Sequence, residues 1–436
     1  MTPQRRDTLL RLAMWLLLGF VAVIALAAGV LALLDRREAG EPVPAGAVAY
    51  RSDPATVERG RYLAIAGNCA SCHTVAGGAP YAGGRGIETP FGTIFASNLT
   101  PDAATGIGAW NAGHFWRAMH HGRSKDGRLL YPAFPYPNFT RVTREDSDAI
   151  YAWLRTVPPV ARTTPAHQLR FPYNTQAALT VWRALSFRSG EFVPDPARPA
   201  EWNRGAYLVD GLGHCIACHG SRNTLGATDE ARGLSGGLIA VQNWYAPSLT
   251  SPREAGVAQW PVQDVVDLLK TGSTPHASVM GPMAEVVMRS TQYLSDADLR
   301  AMASYLRALP EPAPADGEPA AARLPVRRDA GVMERGQRLY DRQCAYCHGA
   351  EGQGAPGAYP PLAGNRAINM DSAVNLMQIV RHGGFLPATA GNPRPYGMPP
   401  FGHVLDETQI AEVLSYVRGA WGNDAPPVSR RDTMLR

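Results

Sequence analysis

Six cysteines stand in the 436-residue chain, and all six fall into three copies of one pattern: Cys69-Ala-Ser-Cys72-His73, Cys215-Ile-Ala-Cys218-His219 and Cys344-Ala-Tyr-Cys347-His348. Histidine occupies only 11 of 436 positions, so chance does not place one after each pair. The spacing suits two thiols that add to the two vinyl groups of one haem while the next residue gives its imidazole to the iron. A thioredoxin-like redox pair needs a strand-to-helix setting and no following histidine, and a structural zinc site needs a fourth ligand. Three covalently bound haem c groups are therefore expected, with His73, His219 and His348 as proximal ligands. Covalent attachment also implies assembly outside the cytoplasm, and it leaves no cysteine for a disulfide.

A pattern written three times implies a fold written three times. Each attachment site is introduced by one phrase: Arg59-Gly60-Arg61-Tyr62-Leu63, Arg204-Gly205-Ala206-Tyr207-Leu208 and Arg335-Gly336-Gln337-Arg338-Leu339. The first two copies stay in register further, through Leu99, Trp110 and Gly122 against Leu249, Trp260 and Gly272. All three close on an amphipathic helix that opens with acid, near Asp146, Asp296 and Asp406, as the positive end of a helix dipole favours. The segments 189–200 and 310–326 are rich in Pro and read as linkers. Residues 160–187 fit neither neighbouring core and are expected to wrap the first domain or to cover an interface.

Leu12 to Leu34 carries no charge and is long enough to cross a bilayer as a helix, longer than the apolar core of a cleaved signal peptide. Arg5, Arg6 and Arg11 precede it and a balanced set follows it, which keeps the N-terminus cytoplasmic and sends the body of the chain outward. Residues 40–49 read as a short tether. The net charge of +5 is spread thinly and gives no dense basic block, so nucleic acid is not an expected partner.

A haem that only moves electrons usually carries a second strong ligand, and methionine there raises the potential. It should lie before the closing helix. Met398 stands there in the third copy, in Tyr396-Gly397-Met398-Pro399. The second copy offers Met280 and Met283, of which Met283 is preferred because its Pro-Met step resembles Pro132-Ala133-Phe134. The first copy has Phe134, which cannot bind iron. Met119, aligned through Gly122, Gly272 and Gly383 with the apolar Leu269 and Val380, should point inward and is the candidate sixth ligand. His121, or an open iron, is the alternative. His120 and His121 align with polar residues and are expected to face outward. The other histidines, at 114, 167, 214, 276 and 403, have no repeated partner and read as ordinary surface or core residues; Arg85 is a candidate partner for a haem propionate.

The phrases RGAYLVDGLGHCIACHGSRNTLGA, NLTPDAATGIGAW, LYPAFPYPNF, GPMAEVV, YPPLAGNRAI and RPYGMPPF resemble the triheme cytochrome c subunits of bacterial membrane-bound dehydrogenases. The likeness covers about residues 50 to 423. It implies an all-α fold of three tandem class I cytochrome c domains, at 50–188, 198–312 and 327–423, behind a cytoplasmic N-terminus and transmembrane anchor at 1–38. It also implies periplasmic haem domains on a bacterial inner membrane, with electrons passed to ubiquinone or a terminal oxidase. Members resembling pyrroloquinoline quinone alcohol dehydrogenase or flavin gluconate dehydrogenase complexes tend to read AMPY where this chain has AFPY. Members serving molybdenum hydroxylase complexes, such as aldehyde or nicotinate dehydrogenase, tend to read AFPY. Phe134 thus points to a large molybdopterin-type dehydrogenase partner with a small iron-sulfur subunit. No arrangement of a general base with an oxyanion donor is visible, so catalytic residues are not expected in this chain. An open first haem with catalytic activity, or a stand-alone carrier, would be the competing readings.

Overall fold

The computed structural model describes residues 3–37, 40, 42–44, 49–239, 241–311 and 326–434. Half of the 40–49 tether and most of the 310–326 linker lie outside them. One long helix, Pro3–Arg37, leads the chain, and its stretch Leu10–Arg36 is apolar enough to cross a membrane. Its C-terminal end is held against the body by an ion pair of Asp35 with Arg123.

Behind it one helix crossing recurs three times. The opening helix Pro54–Ala66 packs on the closing helix Arg144–Leu154; Ala200–Ala206 packs on Asp296–Arg307; Ala330–Gln343 packs on Glu407–Val417. The shared Arg-Gly phrase explains the contact. A methyl group at Gly60 would stand 1.8 Å from the carbonyl oxygen of Ala149, one at Gly205 2.0 Å from Ala301, and one at Gly336 2.3 Å from Glu412. Only glycine lets the two backbones approach so closely.

The closing helices start where the acidic residues suggest. Thr143, Ser295 and Asp406 cap them through side-chain oxygens that accept backbone N–H groups. The middle helices Ala112–His121, Val262–Thr271 and Val374–His382 each stop at a glycine of positive φ: Gly122 at 58°, Gly272 at 80° and Gly383 at 69°.

Two features depart from a purely repeated, all-α chain. Among the described residues three small antiparallel sheets lie between the helices: β1 (Gly86–Thr89), β2 (Gly92–Phe95) and β3 (Gln168–Leu169); β4 (Gly237–Ile239) with β5 (Trp244–Ala246); and β6 (Gly384–Phe385) with β7 (Gly397–Met398). None exceeds four residues, too few for period-two alternation to show in sequence. Secondly, the stretch from Arg204 to Cys215 is one residue longer than that from Arg59 to Cys69, and the surplus is taken up as a π-helical turn at Tyr207–Leu212.

The buried apolar side chains of the first two repeats form one continuous core, whereas Leu339 to Val428 make a second, separate core. Residues 160–192 wrap the first repeat. Asn98 donates to Val160 O at 2.8 Å, β3 extends the β1–β2 sheet, and the strap helix Gln176–Ser186 reaches the second repeat, where Trp182 Nε1 donates to Leu225 O at 3.0 Å.

Candidate functional site

Each Cys-x-x-Cys-His lies on a short helix, and in all three the histidine ring is turned the same way. His73 Nδ1 meets the carbonyl of Ser97 at 2.7 Å, His219 Nδ1 that of Pro247 at 2.7 Å, and His348 Nδ1 that of Pro360 at 3.0 Å. A proton on Nδ1 donated to a carbonyl fixes the tautomer and leaves Nε2 with its lone pair for a metal. Burial lowers the affinity of all three rings for a second proton and outweighs the opposing effect of the carbonyl bonds.

The first cysteine of each pair is not poised as a redox thiolate. Burial pushes the Cys69 and Cys215 thiols up to about 12 and Cys344 up to about 11. A dithiol poised for exchange needs the opposite shift. Nor, among the described residues, do three or more His, Cys, Asp or Glu converge as a bare-metal site. A flat apolar group tethered by both thiols fits this chemistry. In the third repeat Cys344, Cys347, His348, Ile379, Met398 and Phe401 line one cavity. Met398 lies in β7, its backbone paired with Gly384.

In the second repeat Met283 packs against the same core as Cys215. Met280 lines the third repeat's cavity. In the first repeat Met119 is buried, as are its aligned partners Leu269 and Val380. Phe134 packs on the same core and lies 5.4 Å from the ring of Phe139.

Three side chains have surroundings that the spacing did not show. His120 does not face outward: it is buried, stacked on Trp116 at 4.3 Å and within 3.5 Å of the Thr140 hydroxyl. Arg85 meets a carboxylate of the protein, donating to both Glu285 oxygens at 2.7 and 3.1 Å. Its other contact is Ser71 O, inside the first attachment helix. His214 follows the π-helical turn with φ 41°, is half-buried beside the Gly67 backbone, and sits 5.5 Å edge-on from Phe139. The extra residue before Cys215 was the available signal for it.

These contacts bring the first two attachment sites together. Cys72 lies within electrostatic reach of Cys218. Around them runs a reciprocal exchange. Asp146 accepts from its own Arg59 at 2.8 Å and from Tyr207 of the second repeat at 2.6 Å; Asp298 accepts from its own Arg204 at 2.8 Å and from Tyr62 of the first at 2.6 Å. Sequence repetition shows these residues in equal positions but not that each tyrosine crosses over.

The sequence model of the cytochrome c family matches residues 57–158 and 333–421. The cytochrome c subunit of a quinone alcohol dehydrogenase from Gluconacetobacter polyoxogenes is 40% identical over 86% of this chain and 82% of its own length. A nicotinate dehydrogenase subunit of Pseudomonas putida is 40% identical over 94% of this chain, which spans 34% of that longer protein. The fructose dehydrogenase cytochrome subunit of Gluconobacter japonicus is 37% identical over 90% of this chain and 84% of its own length.

Proposed function

The chain belongs to the family of membrane-bound dehydrogenase cytochrome c subunits, and from that premise we propose that it holds three haem c groups in series and relays electrons from a molybdenum-type dehydrogenase towards ubiquinone or a terminal oxidase. Its role as an electron-transfer subunit follows from the family. The observation that carries the count of three is the common setting of His73, His219 and His348, each with Nδ1 committed to a backbone carbonyl.

When bound, haem c supplies a one-electron iron couple whose potential its ligands and surroundings tune. The chain's residues do the rest. Cys69, Cys72, Cys215, Cys218, Cys344 and Cys347 would tether it, the three histidines would present Nε2 to the iron, and Met398, Met283 and, in the first repeat, where Phe134 stands in the methionine's place, Met119 would supply the second ligand. The apolar cores exclude water. The body is periplasmic, carried on Pro3–Arg37 as a membrane anchor with its N-terminus in the cytoplasm. The Met119 assignment predicts that Met119→Leu abolishes the near-infrared methionine-to-iron band of one haem and lowers its potential; an unchanged band and potential would refute it.

Phe134 and the match to the nicotinate dehydrogenase chain across nearly the whole sequence support a molybdopterin partner with a small iron-sulfur subunit. The equal identity to the alcohol dehydrogenase cytochrome supports a second reading, a pyrroloquinoline quinone or flavin partner. Tagging the C-terminus, solubilising membranes gently and assaying what co-purifies separates them. Molybdenum with iron-sulfur is expected; pyrroloquinoline quinone or flavin would move the chain to the other branch.

A further inference from the structure

The strap helix Gln176–Ser186 is apolar on both faces. Leu179 and Phe187 point inward with Arg183, which is 2% exposed and lies over the rings of Tyr136 at 5.3 Å and Phe187 at 4.6 Å. The outward stripe, at successive four-residue steps, is Ala177, Val181 and Leu185, all exposed. A water-facing helix ordinarily turns its charge out and its apolar stripe in. Here the cation is inside, while Leu185 is 67% exposed and Phe171, on the approach to the helix, 81%.

The position of this helix says what covers that face. It packs against the long N-terminal helix. Among the described residues of the apolar stretch Leu10–Arg36, only Leu31, Leu34 and Asp35 are even partly covered by the body. Five residues of α-helix advance about 8 Å, so the contact sits within the last part of the span, at the depth where amphipathic helices lie in a bilayer. The ion pair of Asp35 with Arg123 fixes that approach. Arg170 and Arg188, both exposed, flank the apolar stripe at its two ends, where lipid phosphates would meet them.

We propose that the strap helix is a second membrane contact: Ala177, Val181, Leu185 and Phe171 rest in the outer leaflet beside the anchor and hold the first repeat flat on the bilayer. The proposal rests on reading Pro3–Arg37 as a membrane span. A haem-tethered chain has no spare thiol, so one introduced cysteine can carry a nitroxide. Leu185→Cys, Val23→Cys within the span and Arg338→Cys on the third repeat would each be labelled in the full haem-loaded chain. The chains would then be reconstituted in vesicles of phosphatidylcholine with phosphatidylglycerol.

The expected result is that oxygen accessibility relative to an aqueous nickel chelate is several-fold higher at residues 185 and 23 than at 338. If residue 23 shows it and 185 matches 338, the strap contact is wrong and the anchor stands. If residue 23 also matches 338, the anchor reading itself fails. If 185 becomes shielded from both reagents only when the dehydrogenase is added, the face belongs to a protein partner and the proposal is overturned. A Leu185→Cys/Val181→Asp chain should lose the excess at 185 while keeping its visible haem spectrum.

Discussion

The first two repeats and the third solve the same packing problem differently. In the first pair, each closing helix places a carboxylate, Asp146 or Asp298, under its own arginine and under a tyrosine from the other repeat, and one core runs through both. In the third repeat Arg338 stands where Tyr62 and Tyr207 stand, and pairs with Glu334 on its own helix. Gln409 stands at the third helical position held by those aspartates, and Arg335 turns to Glu412 at 2.6 Å. The third repeat keeps its own core and meets the second through apolar contacts, with Tyr245 packed on that core and Met280 lining its cavity, and through hydrogen bonds. Asn375 bonds the Tyr245 backbone at 2.8 and 2.7 Å, and Arg366 N donates to His276 O at 2.9 Å. Two copies thus fuse into one body while the third docks as a separable one.

Substitution at the helix crossing should break this contrast most severely. Gly205→Ala forces a methyl group onto a carbonyl and is expected to cost about 3 kcal/mol, melting the first and second repeats together, whereas Gly336→Ala should melt the third alone. Thermal unfolding followed in the absorption of haems made distinguishable by their potentials would show whether the losses partition so. Next in size, Asp146→Ala strips a buried acceptor from Arg59 and Tyr207 and should cost about 2 kcal/mol. It should do so in the fused pair without moving the third repeat's transition. Tyr62→Phe and Tyr207→Phe should each cost about 1 kcal/mol; their double variant in a mutant cycle with Asp298→Asn would tell whether the two crossings act as one network.

Acid provides a gentler test. Burial by itself would raise the Asp298 carboxyl, but hydrogen bonds from Arg204 and Tyr62 outweigh it and hold the group below its ordinary value. A depressed folded pKa stabilises fully above the unfolded value, near about 3.9, and that contribution fades as pH falls through the folded value. The fused pair should therefore lose stability on acidification below about pH 4, and Asp298→Asn should flatten that part of the profile. An unchanged acid limb in the variant would show that other groups set it.

Much of this was legible in the residues. The three attachment motifs, the glycines that end the middle helices at 122, 272 and 383, the capped closing helices and the inward aim of Met119 follow from spacing and helical periodicity, which are local. What was not legible depends on a neighbour distant in sequence. Tyr62 and Tyr207 look like ordinary repeat residues until the two repeats are seen face to face. His120 shares a helix turn with polar aligned positions, and only Trp116 and Thr140 closing over it make it buried. The ion pair of Arg85 with Glu285 was hidden because Glu285 belongs to another repeat. The π-helical turn had a signal, one surplus residue before Cys215, but its consequence for His214 needed the backbone.

The central claim is that all three histidine settings serve a haem, including the second, which lies outside the stretches matched by the cytochrome c family model. The direct measurement is the intact mass of the purified chain, with its haem content, beside a Cys215→Ala/Cys218→Ala variant. Three haem additions in the natural chain and two in the variant are predicted; two in both would contradict the account.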